Sequence, residues 1–137
     1  MTSKKASRRP PIHMIDTEAD ALTNMAMAAE ERLPQVSEML LDEIGRATLH
    51  TASRIPANVV TMHSTVRFTD EASLREYSYQ LVYPKEADIS AGRISILTPV
   101  GAGLIGLREG QSILWPDRDG NERALKIVDV AQAVRAD

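Results

Sequence analysis

The stretch ISILTPVGAGLIG, residues 94–106, predicts a short strand that runs directly into a short helix. Its first four residues, Ile94–Leu97, supply the strand. Thr98 is a suitable N-cap because its hydroxyl can accept a free backbone N–H of the first helical turn. Pro99 fits the first helical position, where a missing N–H costs nothing, and Gly106 is placed to end the helix.

Two further glycines, Gly101 and Gly103, lie inside this predicted helix. Each costs on the order of 1 kcal/mol relative to alanine in a helix interior. A helix this short should therefore not carry both glycines without a reason. We expect close approach of another backbone at these positions, either a neighbouring segment of the chain or a partner protein.

Residues 101–106 also match the G-x-G-x-x-G pattern of dinucleotide-binding proteins. That fingerprint needs a crossover helix, a second parallel strand and an acidic residue about 20 positions further on. Here a turn at residues 107–110 follows at once, and residues 111–130 predict a hairpin with its turn at 117–121. We therefore expect no nucleotide cofactor, and Leu107, in the place of the essential lysine, excludes a P-loop.

The composition is that of a soluble globular protein, with 43% hydrophobic and 26% charged residues among 137. No apolar run approaches about 18 residues, so no membrane-spanning segment is predicted. The basic N-terminus lacks the apolar core of a secretory signal. The absence of cysteine excludes disulfides and thiolate metal sites. We expect a cytoplasmic protein.

The net charge of −3 is unevenly distributed along the chain. Residues 1–16 are basic, residues 17–49 carry seven acids against two arginines, and residues 56–137 are slightly acidic. Because no part of the folded chain is a basic stripe, we expect no sequence-specific nucleic-acid binding. Residues 1–11 predict a disordered tail.

Residues 12–54 predict an antiparallel hairpin of two helices of about 15 residues each. The first helix opens at Asp16–Thr17, in a TxxD pattern that resembles a capping box, and Pro34 ends it. Apolar stripes run from Leu22 to Leu33 and from Val36 to Ala47. Since neither helix is stable alone, each must bury its stripe against the other or against the following domain.

The acidic residues of this hairpin, including Glu30-Glu31 and Asp42-Glu43, are interpreted as a solvated helix face. Adjacent carboxylates on a helix point about 100° apart, so neither pair converges on one ion. The histidines show no metal-ligand spacing and are interpreted as incidental. They are His13, His50 and His63. We expect no catalytic residue, metal site or cofactor.

After a linker at residues 51–58 the chain predicts an antiparallel-rich sheet. Val60–Phe68 and Tyr77–Tyr83 alternate apolar and polar residues, as half-buried strands do, with a turn at Asp70-Glu71 between them. A polar loop over residues 86–92 leads to the strand–helix stretch. Helices, strands, one short helix and a final hairpin together predict an α+β fold.

Three motifs resemble in combination the Gre transcription-factor superfamily. They are NVVTMHS at 58–64, LVYP at 81–84, and TPVG with LIGLREG between 98 and 110. The resemblance covers residues 12–132. It implies a coiled-coil hairpin, residues 12–54, joined to a C-terminal domain of the FK506-binding-protein-like fold, residues 55–137.

The resemblance also implies that the C-terminal domain docks on RNA polymerase, at the rim of its secondary channel, through the strand-to-helix region. The residues expected to dock are Leu97, Thr98, Pro99, Val100, Gly101, Gly103, Leu104 and Gly106. In that case Gly101→Val should leave the protein folded and weaken polymerase binding.

Gre cleavage factors carry paired acids at the hairpin tip, which help to hold a catalytic magnesium ion in the polymerase. The tip expected here contains no acid; it comprises Arg32, Leu33, Pro34 and Gln35. The hairpin is also shorter than that of a cleavage factor. The resemblance therefore implies a non-enzymatic regulator that binds polymerase and competes with Gre factors without transcript cleavage.

An alternative function follows from the same fold, which resembles that of peptidyl-prolyl isomerases with aromatic-lined active sites. The chain has five aromatic residues, Phe68, Tyr77, Tyr79, Tyr83 and Trp115. Three of these alternate on one strand, where cross-strand packing also explains them.

Overall fold

The structure is a computed structural model that describes residues 10–116 and 122–133. The predicted turn at 117–121, and the predicted tail up to residue 9, lie outside the described residues. The α+β class is confirmed. The elements are β1 (His13–Ile15), α1 (Asp16–Ala28), α2 (Pro34–Arg46), β2 (Thr48–His50), β3 (Thr65–Asp70), β4 (Arg75–Val82), β5 (Arg93–Ser95), α3 (Pro99–Leu104), β6 (Ser112–Pro116) and β7 (Glu122–Ala131).

The main sheet has the strand order β5-β4-β3-β7-β6. The β4/β3, β3/β7 and β7/β6 pairs are antiparallel, and only the edge pair β4/β5 is parallel. The predicted final hairpin is thus present as β6 and β7. One face of β3 is buried through Val66, Phe68 and Asp70, whereas Thr65 and Arg67 on its other face are exposed.

β5 is shorter than the sequence predicts, because it ends at Ser95 rather than at Leu97. The Ser95 hydroxyl accepts the N–H of Leu97 at 2.9 Å, and the Thr98 hydroxyl donates to the Ser95 carbonyl at 2.7 Å. Such local bonds offer the backbone an alternative to the sheet ladder, so residues 96–98 form a turn.

β3 begins at Thr65 and not at Val60. Residues 61–64 form a tight turn in which the Ser64 hydroxyl oxygen lies 2.9 Å from both the backbone nitrogen and the hydroxyl of Thr61. His63 takes the left-handed conformation within it, at φ 69°. Val60 and Met62 are nevertheless buried, which explains why their apolar character resembled that of a strand.

The helix boundaries differ from the prediction in two ways. The N-cap of α1 is Ile15, which makes no side-chain capping bond, so the predicted capping box is wrong. α1 already ends at Ala28, and Pro34 is the first residue of α2 rather than the residue that stops α1. Proline is favoured at that position because its missing N–H would have no partner there.

A two-stranded parallel sheet that the sequence did not reveal flanks the helix pair. β1 immediately precedes α1, β2 follows α2, and the two strands pair with His13 opposite Thr48. The residues before β1 are also held, because Arg46 donates to the Pro10 carbonyl and Gln111 donates to that of Pro11 at 3.2 Å.

The helix pair and the main sheet share one hydrophobic core. Leu22 of α1 and Leu40 of α2 belong to the same buried cluster as Phe68, Leu81 and Ile127 of the sheet. The predicted linker is anchored too, because its Ile55 is buried in a smaller cluster with Ile15 and Val59.

Candidate functional site

The predicted docking segment divides into an accessible part and a buried part. Pro99 is exposed, and Leu97, Thr98 and Val100 are half-buried. We call these four residues the docking turn. The other predicted docking residues, Gly101, Gly103, Leu104 and Gly106, are buried within the chain itself. Of the eight predicted docking residues, only the four of the docking turn can therefore contact a partner without rearrangement.

The capping chemistry expected at this turn is present. The Thr98 hydroxyl accepts the N–H of Gly101 at 3.1 Å, and Pro99 is the first residue of α3. Gly106 follows the C-cap residue of α3, Ile105, and has the positive φ of 85° that such a position favours.

The close approach expected at Gly101 is made by the chain's own backbone. A Cβ atom on Gly101 would lie 2.2 Å from the Ser95 carbonyl oxygen and 3.0 Å from the Ile96 Cα. Of the two explanations open from the sequence, the structure supports a neighbouring segment. Gly101 therefore lets α3 lie directly on the chain that follows β5.

A largely apolar groove of about 690 Å³ runs between α1 and the docking turn. Met25 of α1 lines one side, Leu97 and Thr98 line the other, and Arg32 and Leu33 lie at the helix–helix connection. Residues predicted separately for the hairpin tip and for docking are thus brought together in one surface. We call this surface the α1 groove.

The connection between the helices is not the predicted tip. It comprises residues 29–33, since Pro34 and Gln35 already belong to α2. Glu30 and Glu31 lie in this connection and are exposed. The expectation of a tip without acids is therefore wrong. The reason is that Pro34 begins α2 and does not end α1.

Not all acids of the helix pair are solvated as expected. Glu43 is 4% exposed, and its Oε1 accepts from the Arg46 guanidinium at 2.7 Å. Arg46 also donates to the Pro10 carbonyl, so this pair fastens the chain before β1 to the end of α2.

A polar cleft of about 570 Å³ that the sequence did not indicate lies beside Tyr83. His63 Nε2 donates to Glu86 Oε1 at 2.9 Å, and Lys85 and Arg93 line the same cleft. The hydrogen bond from His63, followed by that from the Tyr83 N–H, lowers the pKa of Glu86. This bond also holds the turn that carries His63, whose backbone is strained.

The other two histidines are not incidental either, because they contact each other. Nδ1 of His13 lies 3.0 Å from Nε2 of His50, and the ring centroids are 5.1 Å apart. They stand 37 positions apart in sequence, so only the pairing of β1 with β2 brings them together.

The aromatic residues of the sheet pack on one another. Phe68 stacks on Tyr77 at 5.4 Å between centroids, and Tyr77 and Tyr79 are 6.4 Å apart. Tyr83 instead meets His63 edge to face, and the side chain of Trp115 lies outside the described residues. Cross-strand packing explains the stacked residues, and nothing in the described part of the chain supports an isomerase site.

Two general features of the described residues bear on the kind of protein this is. In residues 10–116 and 122–133, no three histidine, aspartate or glutamate side chains cluster as metal ligands would. No helix in the same ranges has the length and apolar character needed to cross a membrane.

The fold and these surfaces define an α+β protein in which a helix pair meets a five-stranded sheet beside an accessible turn. Residues 55–132 match the family described as transcription elongation factor, GreA/GreB, C-term, and the chain belongs to this family. The match includes the docking turn and the sheet, whereas the helix pair precedes it.

The relatives cover most of the chain. It is 32% identical over 123 residues to the regulator of nucleoside diphosphate kinase of Escherichia coli, an alignment that spans 89% of this chain and 90% of that protein. It is 31% identical over 133 residues to the transcription elongation factor GreA of Brucella anthropi, spanning 91% and 84%. Among solved structures, a transcription elongation factor GreA/GreB from Nitrosomonas europaea superposes with a TM-score of 0.73 at 39% identity, covering 90% of this chain and all of that one.

Proposed function

We propose that the chain is a non-enzymatic regulator that binds bacterial RNA polymerase near the secondary channel and competes there with Gre factors. The observation that carries this proposal is the family match over residues 55–132, within which the docking turn is accessible. Its place of action would be the cytoplasm, where the polymerase is.

We further propose two structural units within the shared core. Residues 12–54 would be a helical hairpin, and residues 55–137 would be a domain of the FK506-binding-protein-like type. The start of the family match at residue 55 supports this boundary. The packing of Ser37 on Ala26, with a hydrogen bond of 2.6 Å between the helices, supports the hairpin.

The contact surface would comprise the docking turn and the adjoining α1 groove. Pro99 offers an exposed apolar surface, while Leu97 and Leu33 supply apolar walls on either side of the groove. Arg32 is exposed at the helix–helix connection and adds a positive charge. A polymerase segment with apolar side chains and a nearby carboxylate would satisfy both features.

The proposal also holds that the protein does not stimulate transcript cleavage. An absence of acids at the helix–helix connection cannot support this part of the proposal, because Glu30 and Glu31 lie there. The support is the length of the helices: α1 and α2 have 13 residues each, and a helix of that size is about 20 Å long at 1.5 Å per residue.

A binding experiment with core RNA polymerase tests the docking surface. Pro99→Glu keeps α3 intact, because glutamate is favourable in the first turn of a helix, but it places a charge on the docking turn. We expect about tenfold weaker binding, equivalent to about 1.4 kcal/mol, and weaker competition with GreA.

The matched control is Arg67→Glu, which changes the charge of an exposed side chain on the face of β3 away from the core. This variant should bind as the wild type does. Absence of saturable binding by the wild-type protein would overturn the proposal, whereas equal binding by the Pro99→Glu variant would overturn only the assignment of the docking turn.

A further inference from the structure

The contact between His13 and His50 depends on the protonation state of both rings. Their facing nitrogens, Nδ1 and Nε2, are 3.0 Å apart, which is a hydrogen-bond distance. Such a bond needs one N–H and one free lone pair, so at least one of the two imidazoles must be neutral. When both rings are protonated, two donors and two positive charges face each other.

The surroundings of His13 disfavour a positive charge on its ring. His13 lies on β1 and His50 on β2, and Arg108, in the segment after α3, is the further charged group that acts on His13. Burial, then the Arg108 guanidinium and then His50 hold the pKa of His13 below the ordinary value of an imidazole. Both rings are half-buried, so water screens this repulsion only in part.

The pair lies where both ends of the helix pair meet the rest of the molecule. β1 leads into α1, and β2 follows α2 after one residue. The backbone N–H of His13 donates to the Gly106 carbonyl at 3.0 Å, and that of Thr48 donates to the Ile12 carbonyl at 2.9 Å. The two strands therefore tie the base of the helix pair to the end of α3.

We propose that His13 and His50 form a pH-sensitive clasp, which holds β1 on β2 while at least one ring is neutral and opens when both are protonated. Opening breaks the backbone bonds of His13 to Gly106 and of Thr48 to Ile12, while Ile12 and Met14, both buried in the shared core, keep the flanking residues in place. The proposal stands independently of polymerase binding.

The direction of the pH dependence follows from linkage. Because the pKa of His13 is lower in the closed state than in the open state, the closed state is favoured by the neutral ring. This contribution is complete above the ordinary imidazole value of about 6.5 and is lost as the pH falls through the lower value of the closed state. The clasp should therefore open on mild acidification.

Hydrogen exchange of the full chain tests the clasp. After correction for the intrinsic exchange rate, the backbone amides of His13 and Thr48 should exchange faster as the pH falls from about 7.5 to about 5, because the clasp is open for a larger fraction of the time. Each pKa unit between the closed and open states contributes about a tenfold increase. His13→Gln should remove this pH dependence, because glutamine can hydrogen-bond but does not titrate in this range. His50→Gln should weaken it without removing it, because burial and the Arg108 guanidinium still lower the pKa of His13.

The matched control is His63→Gln, which removes the third histidine and its bond to Glu86 but leaves the clasp intact. It should keep the wild-type pH dependence at His13 and Thr48. The same pH dependence in His13→Gln as in the wild type would overturn the proposal.

A titration of the wild-type imidazole resonances by NMR keeps the test decisive if either clasp variant fails to fold. The proposal requires that the pKa of His13 lies below the ordinary imidazole value. Titration of His13 at the ordinary imidazole value would overturn it.

Discussion

At the scale of the residue, a tertiary contact explains why a glycine stands at position 101 inside a short helix. A Cβ atom at this position would lie 2.2 Å from the Ser95 carbonyl oxygen, so alanine already forces the backbone of α3 or of the β5 end to move. We expect Gly101→Ala to lower the free energy of unfolding by about 1–3 kcal/mol, and valine to lower it further. Chemical denaturation measures this directly.

Gly45 provides the matched control, because it lies in α2 with nothing within 4 Å of its Cβ position. Gly45→Ala should raise the free energy of unfolding by about 0.5–1 kcal/mol through helix propensity. Equal stability of Gly101→Ala and the wild type would contradict the close approach at Gly101. It would restore the sequence-based expectation that Gly101→Val folds normally.

Residue-level prediction succeeded where the chemistry is local and failed where it is not. Thr98 and Pro99 act at the start of α3 as their types predict, since a cap needs only its own helical turn. The bond between His13 and His50 and the burial of Glu43 depend on chain segments that meet only in the fold. Composition and spacing therefore could not reveal them.

At the scale of the element, the Ser37 hydroxyl connects the two long helices. It is fully buried and donates to the Ala26 carbonyl at 2.6 Å, across 11 positions of sequence. We expect Ser37→Ala to cost about 1 kcal/mol, the usual net value of a buried hydrogen bond. Ser78→Ala, at an exposed site on β4, should change the stability by less than about 0.5 kcal/mol. Equal effects of the two changes in urea denaturation would show that this bond does not hold the helices together.

Element boundaries were the least predictable feature, and one of them changed a functional argument. Proline is an equally good signal for the end of one helix and for the first residue of the next. Assigning Pro34 to the end of α1 moved the expected tip to residues 32–35, whereas the connection is residues 29–33. A similar ambiguity explains why the sequence predicts that the strand corresponding to β3 begins at Val60: the buried turn before β3 is as apolar as a strand.

At the scale of the whole molecule, the apolar stripes predicted that each helix needs a partner surface but not which one. Leu22 and Leu40 pack into the same core as Phe68 and Leu81, so the helix pair is part of the sheet's own packing. Periodicity reports which face is apolar, and the surface that covers it is decided by the topology. The α1 groove could not be predicted for the same reason, because it lies between segments that are distant in sequence.

The absence of transcript cleavage is the last prediction, and it depends on reach rather than on chemistry. Glu30 and Glu31 are exposed in the helix–helix connection, so carboxylates are available at that end of the molecule. The helices that carry them are only about 20 Å long at 1.5 Å per residue, however, and they share one core with the main sheet, beside the docking turn. We expect backtracked elongation complexes to keep their RNA length when the protein saturates the polymerase, with GreA as the positive control.

A variant with Glu30→Ala and Glu31→Ala should compete with GreA as well as the wild type does. Shortened RNA with the wild type, abolished in this double variant, would show that the acids reach the polymerase active site and that the protein is a cleavage factor.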